Sequence, residues 1–91
     1  MEFEWDEDKR LANVRKHGFD FVDVVAVFES DIVTIEDDRF DYGEQRFVTL
    51  GLFNERVVVI VHTEREGVTR IISVRKATKY EARSYFEQIT D

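Results

Sequence analysis

Residues 45–53 read QRFVTLGLF and residues 56–63 read RVVVIVHT, with only Asn54-Glu55 between them. In the second segment every residue from 57 to 61 is apolar, so both faces of a strand there would be apolar. This pattern is typical of a strand inside a sheet that has other parts of the protein packed on each face. A gap of two residues is the length of a tight hairpin turn. These segments therefore predict an antiparallel strand pair, with the second strand at the centre of the fold.

Two further strand-like segments flank this hairpin. Residues 32–36 read IVTIE, and residues 68–75 read VTRIISVR after a second hairpin-length gap at Glu66-Gly67. Segments that follow each other along the chain pair in about two of three cases. The four segments therefore predict a four-stranded antiparallel meander in chain order.

Two helices are predicted before these strands. The first spans residues 6–17, with acids at its start, Leu11 and Val14 as an apolar stripe, and cations before Gly18. The second begins after Asp20 as N-cap and ends near residues 29–30. Its apolar positions at helical spacing are Phe21, Val24, Val25 and Phe28.

A third helix is predicted after the last strand. Thr78 and Glu81 have the spacing of a capping box, in which each side chain accepts from the other residue's backbone N–H. The apolar positions that follow are Ala82, Tyr85, Phe86 and Ile89. The order ααββββα predicts one α+β domain over residues 1–91, since a chain of this length has room for one core.

Composition restricts the class of protein. The chain has 91 residues, 43% of them hydrophobic, and no cysteine, which predicts a folded domain without disulfides or thiolate metal sites. No apolar run approaches the roughly 20 residues of a membrane span, and the N-terminus lacks a signal-peptide pattern. We therefore expect a cytoplasmic protein with no membrane partner.

Charge is distributed unevenly along the chain. The net charge is −7, with 5 basic and 14 acidic side chains in residues 1–45 and 8 basic and 6 acidic ones in residues 46–91. Indiscriminate binding to nucleic acid depends on Lys and Arg, so the acidic balance opposes it. A local cationic site is expected in the C-terminal half. The acidic stretch 36–44 is interpreted as a solvated connection or as a contact for a basic partner.

Most catalytic motifs are absent from the sequence. There is no G-x-S-x-G, Walker or dinucleotide-binding glycine pattern, and no HExxH motif. Asp37, Asp38 and Asp41 leave a metal-dependent nuclease as an alternative, although Arg39 breaks the register of a calcium loop. No cofactor is expected.

The remaining polar residues suit RNA cleavage without a metal ion. Such cleavage needs a base for the 2′-hydroxyl, an acid for the leaving 5′-oxygen and fixed cations for the phosphorane. Several candidates also have structural interpretations: Glu81 as a cap, His17 as a helix-terminal cation, and His62 as a hydrogen-bonded histidine on a sheet face. Arg70 and Arg75 lie on opposite faces of their strand by parity unless it contains a bulge.

Several segments together resemble the BrnT toxin family, in the family's order and over nearly the whole chain. In the first half they are Phe3-Glu4-Trp5-Asp6, Lys9, Asn13, Lys16-His17-Gly18, Phe21, Glu36-Asp37-Asp38, Tyr42-Gly43-Glu44 and Arg46. In the second half they are residues 71–78, IISVRKAT, with Glu81 and Tyr85.

This resemblance implies a RelE-like fold and a metal-independent ribonuclease that arrests translation. It also implies a BrnA-type antitoxin, a small DNA-binding protein through which the complex would contact DNA. The expected catalytic residues are Arg46, Arg75, Glu81 and His17, with the arginines clamping phosphate and Glu81 or His17 transferring protons. The expected RNA contacts are Lys16, Lys76 and Arg70. The alternative is a degenerate toxin that only completes a repressor complex with its antitoxin.

Overall fold

The computed structural model describes residues 1–39 and 41–90. Phe40 and Asp91, the last residue of the predicted domain, lie outside the described part. The elements in chain order are β1 (Glu2–Trp5), α1 (Glu7–His17), α2 (Phe21–Val24), a 3₁₀ helix (Val25–Glu29), β2 (Val33–Asp37), β3 (Arg46–Phe53), β4 (Arg56–Arg65), β5 (Val68–Lys76) and α3 (Lys79–Ile89).

The described strands form one five-stranded mixed sheet in the order β1-β5-β4-β3-β2. The α+β class and the antiparallel meander of β2 to β5 are confirmed, and β4 is central with residues 57–60 buried. The four-stranded, wholly antiparallel sheet and the order ααββββα are wrong, because β1 pairs in parallel with β5. Only the alternation of Glu2-Phe3-Glu4-Trp5 indicated this strand, and four residues are a short pattern.

Both predicted hairpins are present. Asn54 and Glu55 have φ values of 50° and 65°, and Glu66 and Gly67 have φ values of 52° and 83°. Positive φ at both central residues is typical of the two-residue turn whose twist matches that of paired strands. These turns fix the register of β3, β4 and β5.

A β-bulge lies within β5 where it pairs with β4. The register changes from Val61 opposite Ser73 to His62 opposite Ile71, so that β5 has one extra residue. Arg75 lies opposite Val59 and Arg70 lies opposite Thr63, and these β4 partners share one face of the sheet. The bulge therefore places Arg70 and Arg75 on the same face, whereas an unbroken strand would have separated them.

The hydrophobic core lies between one face of the sheet and the N-terminal helices. Its buried residues are Phe19, Phe21, Val24, Val27, Val58, Ile60, Ile71 and Val74. Two aromatic side chains of β1 extend this core: Phe3 contacts Phe28 at 5.2 Å between ring centroids, and Trp5 contacts Phe21 at 6.1 Å. Residues 3 and 5 thus attach the edge strand β1 to the core.

The second predicted helix is two short helical segments. Asp20 is the N-cap as expected, accepting from the Val22 N–H at 3.0 Å, but the α-helix ends at Val24 and continues as the 3₁₀ helix. Positions three residues apart align in a 3₁₀ helix, so Val24 and Val27 are buried while Phe28 is half-buried. β-branched valines also weaken the preference for a regular α-helix.

The buried polar residue of α1 is Asn13. The bounds of α1 are confirmed, with Asp6 as N-cap and Gly18 at φ 78° ending it. However, the expected apolar stripe is wrong, since Leu11 and Val14 are 41% and 38% exposed. The Asn13 amide instead pairs with Val74 of β5, accepting from its N–H at 3.0 Å and donating to its carbonyl at 3.0 Å.

The α3 helix packs against the opposite face of the sheet. Its predicted capping box is confirmed: the Glu81 N–H donates to the Thr78 hydroxyl and the Thr78 N–H donates to the Glu81 carboxylate. Tyr85 is fully buried, and its hydroxyl donates to the Asp31 carbonyl at 2.6 Å. Because Phe86 remains 44% exposed, part of this face is open.

We predict that Asn13→Ala lowers the free energy of unfolding by about 3 kcal/mol, because it removes the partner of two buried backbone groups of Val74. Urea denaturation measures this loss. Val14→Ala on the same helix is the control, and it should change stability by less than about 0.5 kcal/mol. Equal losses in the two variants would contradict the assignment of Asn13.

Candidate functional site

A cleft of about 330 Å³ lies beside α3 on the open face of the sheet, and we call it the arginine cleft. It is lined by Ile35, Glu36, Asp37, Asp38, Arg39, Val48, Arg75 and Glu81. Two predicted catalytic residues, Arg75 and Glu81, thus lie in one cleft. A larger and more open hollow of about 570 Å³ is lined by Glu4, Arg65, Glu66 and Val68, and none of the predicted site residues lines it.

Arg75 and Glu81 form a two-point ion pair at one wall of the arginine cleft. Arg75 Nη1 and Nη2 donate to the Glu81 carboxylate oxygens at 2.8 and 2.9 Å. These bonds, together with the Thr78 N–H, lower the pKa of Glu81 to about 2, and burial opposes the shift. The Arg75 side chain is still 40% exposed, so its guanidinium is accessible from the cleft.

Asp37 and Arg39 form a second pair in the same cleft. Arg39 Nε and Nη2 donate to the Asp37 carboxylate at 2.9 and 3.1 Å, and the Asp37 side chain is only 5% exposed. The Arg39 backbone N–H and the Tyr42 hydroxyl also donate to it, both at 3.3 Å. Chiefly because of Arg39, the pKa of Asp37 falls to about 2.

The charge of Arg39 acts on Arg75. The hydrogen bond to Glu81 raises the pKa of Arg75, whereas burial and the positive charge of Arg39 act against that shift. Ile35, which is 58% exposed, and Val48 provide apolar surface in the same cleft. The arrangement therefore has two oriented guanidiniums beside an apolar wall, which suits an anion attached to a flat or apolar group.

Arg46 does not line the arginine cleft. Its guanidinium lies 4.0 Å from the centroid of the Tyr42 ring, and its Nε lies 3.6 Å from a carboxylate oxygen of Glu44. That buried Nε makes no hydrogen bond to a described residue. Arg46 is opposite Asp37 in the pairing of β2 with β3, so it supports the connection between these strands.

His17 and Lys16 line a different cleft of about 280 Å³ at the end of α1. This cleft meets β5 at Ile72 and Ser73 and shares no lining residue with the arginine cleft. Both side chains are exposed. The structure therefore separates His17 from the Arg75–Glu81 pair, although the cleft of His17 borders β5 and Arg75 belongs to β5.

The other two expected RNA contacts are also on β5. Arg70 lies 3.5 Å from a carboxylate oxygen of Glu4 and shares the sheet face of Arg75. Lys76 is exposed at the strand end, and it lies opposite Val58, on the other face. Strand β5 therefore displays basic residues on both faces.

The structural interpretation of His62 is confirmed. The residue is 3% exposed, and its Nε2 forms a 2.7 Å hydrogen bond with the Thr49 hydroxyl. Burial lowers the pKa of His62, which favours its neutral form. His62 is thus a core residue with no access to a substrate.

No three His, Asp or Glu side chains among residues 1–39 and 41–90 are grouped as metal ligands, and both carboxylate oxygens of Asp37 accept from Arg39. No described helix is long and apolar enough to cross a membrane.

Arg39 is the cleft residue that sequence reasoning missed. The only local indication is its position two residues after Asp37, a spacing at which a carboxylate accepts from a following backbone N–H. Its place in the cleft depends on how β2 and β3 bring Asp37 and Val48 beside Arg75, and on the bonds of Arg39 to Asp37. Residue type and spacing do not determine these tertiary contacts.

Comparison with known protein families gives one match. A family model described as ribonuclease toxin, BrnT, of type II toxin-antitoxin system matches residues 5–81. The match includes all the predicted site residues and all the residues that line the arginine cleft. No curated protein sequence matches the chain.

We predict that Asp37 and Glu81 make stability depend on pH in the acid range. Their pKa values fall from 3.8 and 4.5 to about 2 in the folded chain, so their ionised forms stabilise the fold fully above about pH 4.5. This contribution is lost as pH falls towards 2, when both carboxylates become protonated.

The double variant Asp37→Asn/Glu81→Gln tests this dependence. The free energy of unfolding, measured by denaturant titration between pH 2 and 5, should vary less steeply with pH in the variant than in the parent. Glu87→Gln, which changes an exposed acid of α3, is the control. An unchanged slope in the double variant would exclude these two carboxylates as the cause.

Proposed function

We propose that the chain cleaves RNA without a metal ion and thereby arrests translation. The reason is that the chain belongs to the BrnT family of ribonuclease toxins of type II toxin-antitoxin systems. The observation that supports the site is Arg75, an accessible guanidinium held at two points by Glu81. Arginine suits a phosphate clamp because its rigid fork matches two phosphate oxygens and keeps its charge.

The proposed proton transfers depend on an exchange of partners at Arg75. With a pKa of about 2, Glu81 is a weak base while Arg75 holds it. A phosphate that takes the donors of Arg75 removes the main cause of that low pKa, so Glu81 becomes more basic when substrate binds. Glu81 then accepts the proton of the 2′-hydroxyl and returns it to the leaving 5′-oxygen. Because His17 lies in a separate cleft, we assign it to RNA binding beside Lys16.

The remaining basic residues would position the RNA chain. Lys16 beside His17, and Arg70 and Lys76 on β5, are proposed as contacts to the RNA backbone. We assign Arg46 to positioning instead of clamping, because it lies against Tyr42 outside the arginine cleft. Arg46 would thus act on the site through the connection between β2 and β3.

Membership of the family also supports proposals about the fold and the partner of this chain. A type II toxin has an antitoxin, and we propose a RelE-like fold and a BrnA-type antitoxin that contacts DNA for the complex. We also propose that the complex forms in the cytoplasm. The acidic first half of the chain would attract a basic antitoxin at long range and speed association.

A second function is supported by the carboxylates of the cleft. Arg39 and Arg75 are each bonded to a carboxylate, and both carboxylates have a pKa of about 2. A cleft that is neutralised in this way suits a degenerate toxin, which would act only as a co-repressor with its antitoxin. Activity measurements separate this alternative from the ribonuclease.

We predict that the purified protein cleaves RNA in excess chelator, and that Arg75→Ala/Glu81→Ala slows cleavage by about 100-fold or more, since fixed charge at a developing anion has effects of this size. Arg56→Gln is the control, because its guanidinium lies over Phe19 on the other face of the sheet. Circular dichroism checks that each variant is folded.

The alternatives give different outcomes in the same assay. A metal-dependent nuclease that uses Asp37, Asp38 and Asp41 would lose activity in chelator and in Asp38→Asn. A degenerate toxin would leave RNA intact under all conditions, including with ribosomes supplied. Cleavage by the double variant at the parental rate would move the active site away from Arg75 and Glu81.

We further predict that the association rate with a BrnA-type antitoxin falls by about tenfold or more between low and high salt, as expected for attraction between surfaces of opposite charge. Stopped-flow mixing at several salt concentrations measures the rate. A rate independent of salt would show that the acidic half does not steer the antitoxin.

A further inference from the structure

We propose that Arg39 is a second phosphate-binding residue, so that one phosphodiester of a bound RNA lies between Arg39 and Arg75 with its base against Ile35 and Val48. This inference rests on the proposed ribonuclease function and deepens it, because it assigns a nucleotide subsite to the arginine cleft. Neither the family description nor the sequence pattern assigns a role to Arg39.

The first support is the position of two like charges in one cleft. Arg39 and Arg75 both line it, and the charge of Arg39 is close enough to act against the raised pKa of Arg75. Each guanidinium is already bonded to a carboxylate, so binding requires an anion whose single negative charge replaces that of a carboxylate. A phosphodiester supplies that single negative charge and several acceptor oxygens.

The second support is the way in which Arg39 is held. Asp37 is almost buried and accepts from both the side chain and the backbone N–H of Arg39. Tyr42 adds a bond to the same carboxylate, and Arg46 lies over the Tyr42 ring. The Asp37 carboxylate thus holds the Arg39 guanidinium at two points, while the Arg39 side chain remains 73% exposed. Asp37 is therefore a positioning residue for Arg39.

The third support is the apolar surface beside the two guanidiniums. Ile35 is 58% exposed on the edge strand β2, and its neighbour Val48 on β3 lines the same cleft. An exposed isoleucine there contributes little to the core. The face of a nucleobase would cover it, since bases gain free energy when they lie on apolar or aromatic surface.

The acids of the cleft limit how tightly RNA binds. Asp37 and Glu81 are bonded to the two arginines, whereas Glu36 and Asp38 are exposed and repel a phosphate. Removal of these two acids should therefore strengthen RNA binding. Loss of binding on their removal would instead indicate a cation site.

The test measures binding of a short 2′-O-methyl RNA, which lacks the attacking hydroxyl and is not cleaved. The full chain is compared with Arg39→Gln and with Arg56→Gln, which changes the net charge equally on the other sheet face. Because Arg39→Gln leaves Asp37 without its main partner, Asp37→Asn/Arg39→Gln is included, and thermal unfolding checks all variants.

We expect Arg39→Gln and Asp37→Asn/Arg39→Gln to weaken binding by about tenfold or more, as for a lost hydrogen bond to a charged group. The plot of log affinity against log salt should become less steep, and the magnitude of its slope should fall by about 0.7, the value for one phosphate contact on a single strand. Arg56→Gln should bind like the parent, and Glu36→Gln/Asp38→Asn should bind more tightly.

The outcomes separate this inference from the proposed function. If the parent cleaves RNA while the folded Arg39 variants bind the probe like the parent, Arg39 is not a phosphate contact but the ribonuclease function stands. If the parent binds the probe through Arg39 and cleaves no RNA, the subsite stands and the catalytic function fails. A parent that does not bind the probe overturns the subsite.

Discussion

The arrangement of the whole protein depends on the pairing of the Asn13 amide with Val74. Strand β1 covers the edge of β5 only as far as Ile71, so the later residues of β5 need another partner for their backbone groups. Asn13 supplies a donor and an acceptor there and also donates to the Phe19 carbonyl. This fixes α1 beside β5 and leaves the opposite face of β5 to display Arg75.

Each of the two arginines of the cleft is bonded at two points to a carboxylate, and that carboxylate also accepts from a backbone N–H. Asp37 accepts from the backbone N–H of Arg39, and Glu81 accepts from that of Thr78, so each carboxylate that binds a guanidinium is also bonded to nearby backbone. Each carboxylate therefore has a structural and an orienting role. The capping interpretation of Glu81 and its expected site role are compatible, because one oxygen accepts from both groups.

The distribution of charge is compatible with the proposed RNA site of an acidic chain. The net charge of −7 opposes binding to nucleic acid along the surface, and the carboxylates of the cleft neutralise its guanidiniums. In the proposed site, binding would require a phosphate that replaces a carboxylate as the partner of a guanidinium. Such a site favours a correctly placed phosphodiester over general attraction to RNA, and the acidic surface remains available to a basic partner.

The sequence by itself determined the local features: two hairpins, the bounds of α1, the capping box, the buried His62 and the family. The structural features depend on residues a few positions apart in the chain, and the family was recognised from short segments whose order and residue types the sequence gives directly. Only the tertiary structure decided the pairing of β1, the bulge that puts Arg70 and Arg75 on one face, and the place of Arg39 in the cleft. These depend on contacts such as Asn13 with Val74, 61 residues apart, and no local pattern encodes which distant groups will meet.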